Sequence, residues 1–269
     1  MRRYRARPRS DAGPDDSIVP SLQERGHGDS GAQRLRHAAT YNPTVQSTGS
    51  SSYRDLNLEA FTDRLASSDP VPGGGSASAV AAAIAASLVA MVASLSSGRP
   101  KYAEHEALLV WAGAAGLDLK DRFLTLADQD AAAFAQFAAA LKMARASEDE
   151  VAGRDAALRS SARLAAEVPL TCVEACHELV GVAESLAGRS NVNASSDLNV
   201  AALLAEAAAR GAAENVMINL PSVGDPAFEG EMVSRVKHLI DEIERVATST
   251  REIVGSGERR DPVDPPVPA

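Results

Sequence analysis

The stretch of sequence that decides the fold reads Pro72-Gly73-Gly74-Gly75-Ser76-Ala77-Ser78-Ala79 and continues, rich in alanine, as far as Gly98. Consecutive glycines let the backbone adopt angles that other residues avoid and approach a ligand or another chain closely. Ser76 stands where a helix N-cap is expected, so that backbone N–H groups and the positive end of the helix dipole would face the loop. The pattern predicts a glycine-rich turn that opens a long helix.

The helix after this turn has no charged residue between Pro70 and Gly98, a length that would also suffice to cross a membrane. Most of its side chains are Ala, Ser and Gly, which contribute little to membrane insertion. Its larger apolar side chains recur every three or four residues, namely Val80, Ile84, Leu88, Met91, Val92 and Leu95. We therefore predict a buried, alanine-rich central helix of a soluble protein, with a membrane-anchored module as the alternative.

The composition of the chain favours packed helices. Aromatic residues make up 4% of the 269 residues, whereas a sandwich or barrel would need runs of Val, Thr and aromatic side chains. The net charge of −9 argues against nucleic-acid binding. Cys172 and Cys176 are too few for a disulfide scaffold, so a reducing cytoplasm is expected. With His177 turned away from them, they predict buried structural cysteines and no metal site.

The sequence divides into three parts. Residues 1–53 form an Arg-, Ser- and Gly-rich arm that is expected to be disordered and lacks the hydrophobic stretch of an export signal. Residues 54–254 show helical periodicity and no alternating strand, so they predict one all-α bundle in a single domain. Residues 255–269 are rich in Pro and charge and are expected to be loose.

Capping residues mark the ends of several helices within the bundle. Asn57 is expected to cap a short first helix, Ser147-x-x-Glu150 matches a capping box, and Asp225-Pro226 opens the last helix. Pro169 is expected to kink or break the helix that follows Ser147.

Few polar residues are candidates for a catalytic or binding role. Asp128 and Asp130 are two apart and cannot share a helix face, and Asp130, four residues before Phe134, is the one expected to point inward. Lys101 lies at a helix start, where a cation is mildly unfavourable. The loop from Asn191 to Asp197 would suit a heterocycle edge, or equally a helix cap with an Asx turn.

Six short motifs follow one another along residues 57–250, namely Pro72-Gly73-Gly74-Gly75-Ser76, Gly98-Arg99-x-Lys101-Tyr102, Asp130-x-x-Ala133-Phe134, Val168-Pro169-Leu170, Asn191-x-Asn193-x-x-x-Asp197 and Gly211-Ala212-x-x-Asn215-Val216-x-Ile218-Asn219. In this order and spacing they resemble the cyclodeaminase/cyclohydrolase family, which comprises the C-terminal half of formiminotransferase-cyclodeaminase and its stand-alone bacterial relatives. The resemblance covers about residues 57–250.

The resemblance implies a cytoplasmic, all-helical homodimer that acts on the one-carbon unit of tetrahydrofolate. One activity among such proteins hydrolyses 5,10-methenyltetrahydrofolate to the 10-formyl form, and the other closes 5-formimidoyltetrahydrofolate with loss of ammonia. The sequence shows no formiminotransferase part, so the cyclohydrolase is the first expectation and the cyclodeaminase the second. A non-catalytic helical dimer is the further alternative. The folate is the substrate, and neither a metal nor another cofactor is expected.

Site residues follow from the resemblance at matched positions only. It implies Asp130 and Asp197 as catalytic carboxylates and Lys101 as an acid or anion partner. The loop beside the ligand would be shaped by Gly73, Gly74, Gly75 and Ser76, and the pterin would be bound by Asn191, Asn193 and Asn219.

Overall fold

The computed structural model describes residues 52–266, and the segments 1–51 and 267–269 lie outside the described residues. Six α-helices make up most of the described chain, and no strand occurs in it. The helices are α1 (Leu58–Leu65), α2 (Gly74–Ser96), α3 (Glu106–Leu141), α4 (Glu148–Leu186), α5 (Ser195–Asn219) and α6 (Pro226–Ser256). The prediction of an all-α bundle in a single domain is confirmed.

The long helices are arranged around one core. Helix α2 packs between α3 and α5, α4 packs against α3 and α5 on the opposite side, and α6 lies on α4 and α5. Helices α3 and α5 both run antiparallel to α2. Gly116 of α3 faces the backbone of Ala86 and Ala90, and Gly211 of α5 faces Ser78. A side chain at Gly116 would collide with α2, so this glycine permits the close approach of the two helices.

The predicted helix caps at Asn57, Ser147 and Asp225 are confirmed. The Asn57 side chain accepts from the Ala60 N–H at 2.8 Å, and Ser147 and Glu150 form both halves of a capping box. Asp225 accepts from the Phe228 N–H, with Pro226 in the first turn. The prediction for Ser76 was wrong, because α2 already begins at Gly74 and Ser76 is a fully buried residue of its first turn.

Pro169 was expected to kink or break its helix, and of these two outcomes the break does not occur, because α4 continues through Pro169. A proline lacks the N–H that would bond to the carbonyl four residues earlier, which here belongs to Ala165. The side-chain amide of Asn219, at the end of α5, donates to that carbonyl at 2.8 Å. Asn219 therefore satisfies the acceptor that Pro169 leaves free, and it joins α5 to α4.

Most of the large apolar side chains of α2 do not face the core. The alanines face the core, whereas Ile84 is 49% exposed and Met91 and Leu95 are each 38% exposed. Of the predicted stripe, only Val92 is fully buried. Small residues pack inward because α3 and α5 approach α2 closely, which leaves the larger side chains on the outward face.

Helix α2 is also the one described helix that is long and apolar enough to span a bilayer by length and composition. Of its most apolar window, 56% is buried inside the bundle. A core helix of a soluble protein passes the same test.

The chain after α6 has no regular secondary structure from residue 258 as far as Pro266. Its first residues contact the end of α4: Arg260 pairs with Glu184 at 2.8 Å, and the Asp261 carbonyl accepts from the buried side chain of Arg189 at 2.6 Å. The segment that was expected to be loose therefore makes specific contacts up to Asp261. The expected disorder of the N-terminal arm concerns residues that lie outside the described chain, apart from Ser52 and Tyr53.

Candidate active site

A cavity of about 280 Å³ lies at the N-terminal end of α2. Its walls come from the segment before α2 and the first turn of α2, from the second half of α3 and from the end of α5, with one residue of α4. The lining residues are Pro70, Val71, Gly73, Gly74, Gly75, Asp130, Phe134, Phe137, Ala165, Asn215, Ile218 and Asn219. The antiparallel packing of α3 and α5 on α2 brings these segments together at one end of the bundle.

Asp130 is the ionisable side chain of this cavity. The Ser76 hydroxyl lies 2.9 Å from its Oδ2 atom and 3.0 Å from the Ala127 carbonyl, so the hydroxyl donates to one of these oxygens at a time. Burial raises the pKa of Asp130, and hydrogen bonds from the Ser76 side chain and backbone lower it in part. None of the ion pairs of the described residues involves Asp130. The site thus holds a carboxylate without a compensating cation.

Gly75 provides the space for this carboxylate. A Cβ atom at Gly75 would collide with the carboxyl group of Asp130, which lies against the first turn of α2. The positive end of the α2 dipole therefore faces a carboxylate of the same chain, where the sequence had suggested that it faces a ligand in the loop. Of the three glycines, Gly75 has this steric requirement.

Aromatic and amide side chains form the rest of the wall. Phe134 lies one turn after Asp130 on α3 and is 39% exposed, and Phe137 is half-buried. Asn215 donates to the Gly211 carbonyl at 2.8 Å, and its side chain lies beside Gly74. Asn215 is absent from the residues proposed by sequence, although its i, i+4 spacing from Asn219 places both amides on one face of α5.

The remaining predicted residues lie at the opposite end of α2. Lys101 and Asn191 line a smaller cavity of about 130 Å³ there. Asn191 is buried: its backbone N–H donates to Ser96 at 2.8 Å, and its side chain caps the turn at Asn193 and donates to the Leu95 carbonyl. Asn191 thus behaves as the Asx-type cap that the sequence had left open as an alternative.

Asn193 and Asp197 accompany this second group. Asn193 is exposed, and Asp197 is half-buried in the first turn of α5. Among the described residues, neither side chain has a hydrogen-bonding partner. Asp197 lies 14 residues, or about 21 Å, before Gly211, which faces Ser78 at the N-terminal end of α2. Asp130 contacts this same end of α2, so the structure does not bring the two predicted carboxylates together within a single chain.

Asp128 and Tyr53 form a contact that sequence reasoning missed. Asp128 was expected to lie off the inward face of its helix, but it accepts from the Tyr53 backbone N–H at 2.7 Å and from the Ser52 hydroxyl. Tyr53 packs edge-on against Phe61, with the ring centres 5.7 Å apart. Burial, and then the charge of Asp128, raise the pKa of the Tyr53 hydroxyl. Asp128 thus anchors the start of the described chain on α3.

The prediction that the two cysteines are buried is confirmed. Cys172 and Cys176 are both buried and free, and the hydrogen bond with the Cys172 thiol, together with burial, raises the pKa of Cys176. Within residues 52–266, no three His, Cys, Asp or Glu side chains come close enough to hold a metal ion.

Comparison with known proteins places this arrangement in a family. The model of the formiminotransferase-cyclodeaminase family matches residues 57–238, which include both groups of predicted site residues. The chain belongs to this family.

Similar proteins are named either as cyclohydrolases or as cyclodeaminases. The chain is 37% identical over 185 residues to the methenyltetrahydrofolate cyclohydrolase of Methylorubrum extorquens, a match that covers 69% of this chain and 89% of the relative. It is 32% identical over 206 residues to the formimidoyltransferase-cyclodeaminase of Rattus norvegicus, covering 77% of this chain but 38% of that longer protein. The crystal structure of formiminotetrahydrofolate cyclodeaminase from Thermotoga maritima superimposes with a TM-score of 0.69 at 28% identity, over 76% of this chain and 98% of the other.

Proposed function

We propose that this chain is an enzyme of folate one-carbon metabolism that hydrolyses 5,10-methenyltetrahydrofolate to 10-formyltetrahydrofolate, with Asp130 as the catalytic carboxylate. The observation that carries the proposal is the Asp130 carboxylate, raised in pKa by burial and without a cationic partner, in a cavity walled by Phe134 and Phe137. The methenyl group is an amidinium cation. A buried carboxylate stabilises such a cation, and aromatic faces favour it further.

The reaction needs a base and then an acid at the same carbon. Water attacks the carbon between N5 and N10, and Asp130 accepts a proton from it, which leaves a neutral tetrahedral carbon bearing a hydroxyl group. The bond from this carbon to N5 then breaks, the proton on Asp130 passes to N5, and the hydroxyl proton leaves to solvent as the formyl carbonyl forms. Because the pKa of Asp130 is raised, its carboxyl group suits both transfers better than a solvated carboxylate would.

The other residues of the cavity position the substrate in this proposal. Gly73, Gly74 and Gly75 shape the wall beside the ligand, and Ser76 orients the Asp130 carboxylate. The free oxygen of the Asn215 side chain and the neighbouring Asn219 offer an amide edge to the pterin. No step requires a metal or a redox cofactor.

The cyclodeaminase reaction is the second candidate, favoured by the structural likeness to the Thermotoga maritima protein. It passes through the same tetrahedral carbon with an amino group in place of the hydroxyl group. The similarity to the Methylorubrum extorquens cyclohydrolase, which extends over 89% of that relative, supports hydrolysis as the first candidate.

The proposal also covers the localisation, the oligomeric state and the partners of the enzyme. We expect a cytoplasmic homodimer that binds neither nucleic acid nor membrane. The acidic balance of the chain supports the first exclusion, and the partial burial of α2 supports the second.

Two assays run on one preparation test the proposed function. The first follows the near-ultraviolet absorbance of methenyltetrahydrofolate, and the second measures ammonia released from 5-formimidoyltetrahydrofolate. Methenyl hydrolysis with the larger specificity constant is expected. A larger constant for ammonia release would assign the cyclodeaminase reaction instead, and no acceleration of either reaction over buffer would leave the non-catalytic helical dimer.

A further inference from the structure

The start of the described chain lies against the helix that carries Asp130. Tyr53 begins a short 3-10 helix, and its backbone N–H donates to Oδ1 of Asp128 at 2.7 Å. Arg54, the next residue, pairs with Asp121 of α3 at 3.1 Å. These contacts fix Tyr53 beside the turn of α3 from which Asp130 enters the candidate active site.

Ser76 of α2 connects this segment to Asp130. Its fully buried hydroxyl is 3.0 Å from the Ala127 carbonyl and 2.9 Å from Oδ2 of Asp130. Ala127 directly precedes Asp128, so the residue that holds the Tyr53 backbone is next to the one that holds Ser76. The Ser76 side chain is also a hydrogen-bonding partner of the Tyr53 hydroxyl. The side chains of Tyr53, Ser76 and Asp130 thus form a hydrogen-bonded row.

The ring of Tyr53 is held independently of its hydroxyl. It packs edge-on against Phe61 of α1, with the ring centres 5.7 Å apart, and it is one of the partly buried side chains that pack against the core. Phe61 is itself buried. A ring that is already fixed by packing loses little further side-chain entropy when its hydroxyl makes a hydrogen bond. Replacement of Tyr53 by Phe therefore removes the hydroxyl and keeps the packing.

The direction of these hydrogen bonds follows from the protonation state of Tyr53. Burial raises the pKa of its hydroxyl most, and the charges of Asp128 and Asp130 raise it further. The charge of Arg64 and the hydrogen bond with Ser76 lower the pKa in part. Because the net shift is upward, the hydroxyl is protonated near neutral pH and can donate. Ser76 directs its single proton to an oxygen of α3, which leaves its own oxygen as the acceptor for Tyr53.

We infer that Tyr53 is a positioning residue of the active site, whose hydroxyl donates to Ser76 and strengthens Ser76 as the donor to the Asp130 carboxylate. Hydrogen bonds in a chain polarise one another, and a hydroxyl that accepts a hydrogen bond becomes a better donor. The inference rests on the proposed function for the role of Asp130 in the reaction, whereas the hydrogen-bonded row does not depend on it. Tyr53 lies before residues 57–238, so the family match assigns it no role.

The hydroxyl of Tyr53 should influence the protonation of Asp130. A donor to a carboxylate favours its charged form, so Tyr53, acting through Ser76, lowers the pKa of Asp130 from the value that burial alone would set. The other charges that act on Tyr53 come from Arg64 of α1 and Asp128 of α3, and α2 has no charged side chain. For Asp130, burial and the hydrogen bonds from Ser76 are the causes of the shift. Removal of the Tyr53 hydroxyl should therefore raise the pKa of Asp130 further.

Carbon-13 NMR of the aspartate carboxyl groups tests this effect in the full chain without any substrate. The Asp130 signal is assigned by its absence from Asp130→Asn. Tyr53→Phe should raise the pKa of Asp130 by about half a pH unit, and Ser76→Ala by about one. In the Ser76→Ala background, Tyr53→Phe should have no further effect, because the connection through Ser76 is absent. An unchanged pKa in Tyr53→Phe, or the same change in both backgrounds, would overturn the inference.

The pH–rate profile of the proposed hydrolysis measures the same effect during the reaction. Asp130 must be deprotonated to accept a proton, so kcat/KM of Tyr53→Phe should be about threefold below the wild type on the acid side and equal to it on the alkaline plateau. The matched control is Thr125→Ala on α3, which removes an exposed hydroxyl that donates to the Asp121 carbonyl, and its profile should be unchanged.

A loss of activity in Tyr53→Phe that is equal at every pH would indicate a purely structural role and overturn the inference. A wild-type chain that acts on neither folate would contradict the proposed function. In that case the NMR titration still decides whether Tyr53 acts on Asp130, because it needs no turnover.

Discussion

The carboxyl group of Asp130 occupies the space that a side chain at Gly75 would need. Asp130 lies on α3 and Gly75 in the first turn of α2, so the contact fixes how the ends of two long helices meet. The active-site cavity therefore depends on the absence of a side chain at one position and on the presence of a charge at another.

Gly75→Ala should separate these requirements. We expect the added methyl group to displace the Asp130 carboxylate, since backbone on the α2 side cannot yield easily, and to lower kcat/KM at least tenfold. Circular dichroism should show unchanged helix content, because alanine is a better helix former than glycine. Gly153→Ala on α4, where no neighbouring atom lies within 4 Å, is the control and should remain fully active. Full activity of Gly75→Ala would show that Asp130 does not need its present position.

Asn219 should contribute to stability through Pro169. Asn219→Ala removes the donor to the Ala165 carbonyl and should lower the free energy of unfolding by about 1–3 kcal/mol. Adding Pro169→Ala to this variant restores a backbone N–H for the same carbonyl and should recover part of the loss. Denaturant unfolding of the single and double variants measures the coupling. Strictly additive effects would contradict the compensation between the two residues.

The raised pKa of Asp130 has a consequence for stability. A carboxyl group whose pKa is raised on folding stabilises the folded state while it is protonated, and this contribution is lost as the pH rises through the folded-state pKa. Asp130→Asn should therefore be more stable than the wild type at neutral pH, and the difference should shrink towards acidic pH. Thermal unfolding of both proteins between pH 4 and 8 tests this expectation. A variant that is less stable at neutral pH would show that the hydrogen bonds from Ser76 outweigh the cost of burial.

The same pKa shift sets the acid side of the pH–rate profile. Asp130 must be deprotonated to accept a proton from water, so kcat/KM should fall as the pH decreases through its raised pKa. The inflection should lie above the ordinary carboxylate value of 3.8. Rates corrected for the uncatalysed hydrolysis of the substrate give the profile. An inflection at or below the ordinary value would be incompatible with Asp130 as the base.

The sequence predicted local features well because they depend on neighbouring residues. The caps at Asn57 and Ser147 and the inward orientation of Asp130 follow from spacing along one helix. The outward direction of Ile84 and Met91 did not follow, because it depends on which face of α2 the alanines allow α3 and α5 to approach. The hydrogen bonds of Asp128 were not predicted for a related reason, since its partners Ser52 and Tyr53 are more than seventy residues away.

The positions of the candidate site residues could be predicted only in part. Motif order placed Asp130 and Asp197 together, but order along the chain does not show which end of a helix each residue reaches. The antiparallel course of α5 on α2 carries Asp197 away from Asp130 and brings Asn215 close to Gly74. Distances between helices follow from tertiary packing. The periodicity of one sequence shows the faces of each helix but not how the helices are placed relative to one another.

The most direct test of the central claim compares Asp130→Asn with Asp128→Asn in the hydrolysis of methenyltetrahydrofolate. Asparagine retains the shape of Asp130 but can neither accept the proton nor balance the cation, so kcat should fall at least ~100-fold with unchanged helix content. Asp128→Asn still accepts from the Tyr53 N–H and should remain near the wild-type rate. A fully active Asp130→Asn variant, or an equal loss in Asp128→Asn, would contradict the role of Asp130 as the catalytic carboxylate.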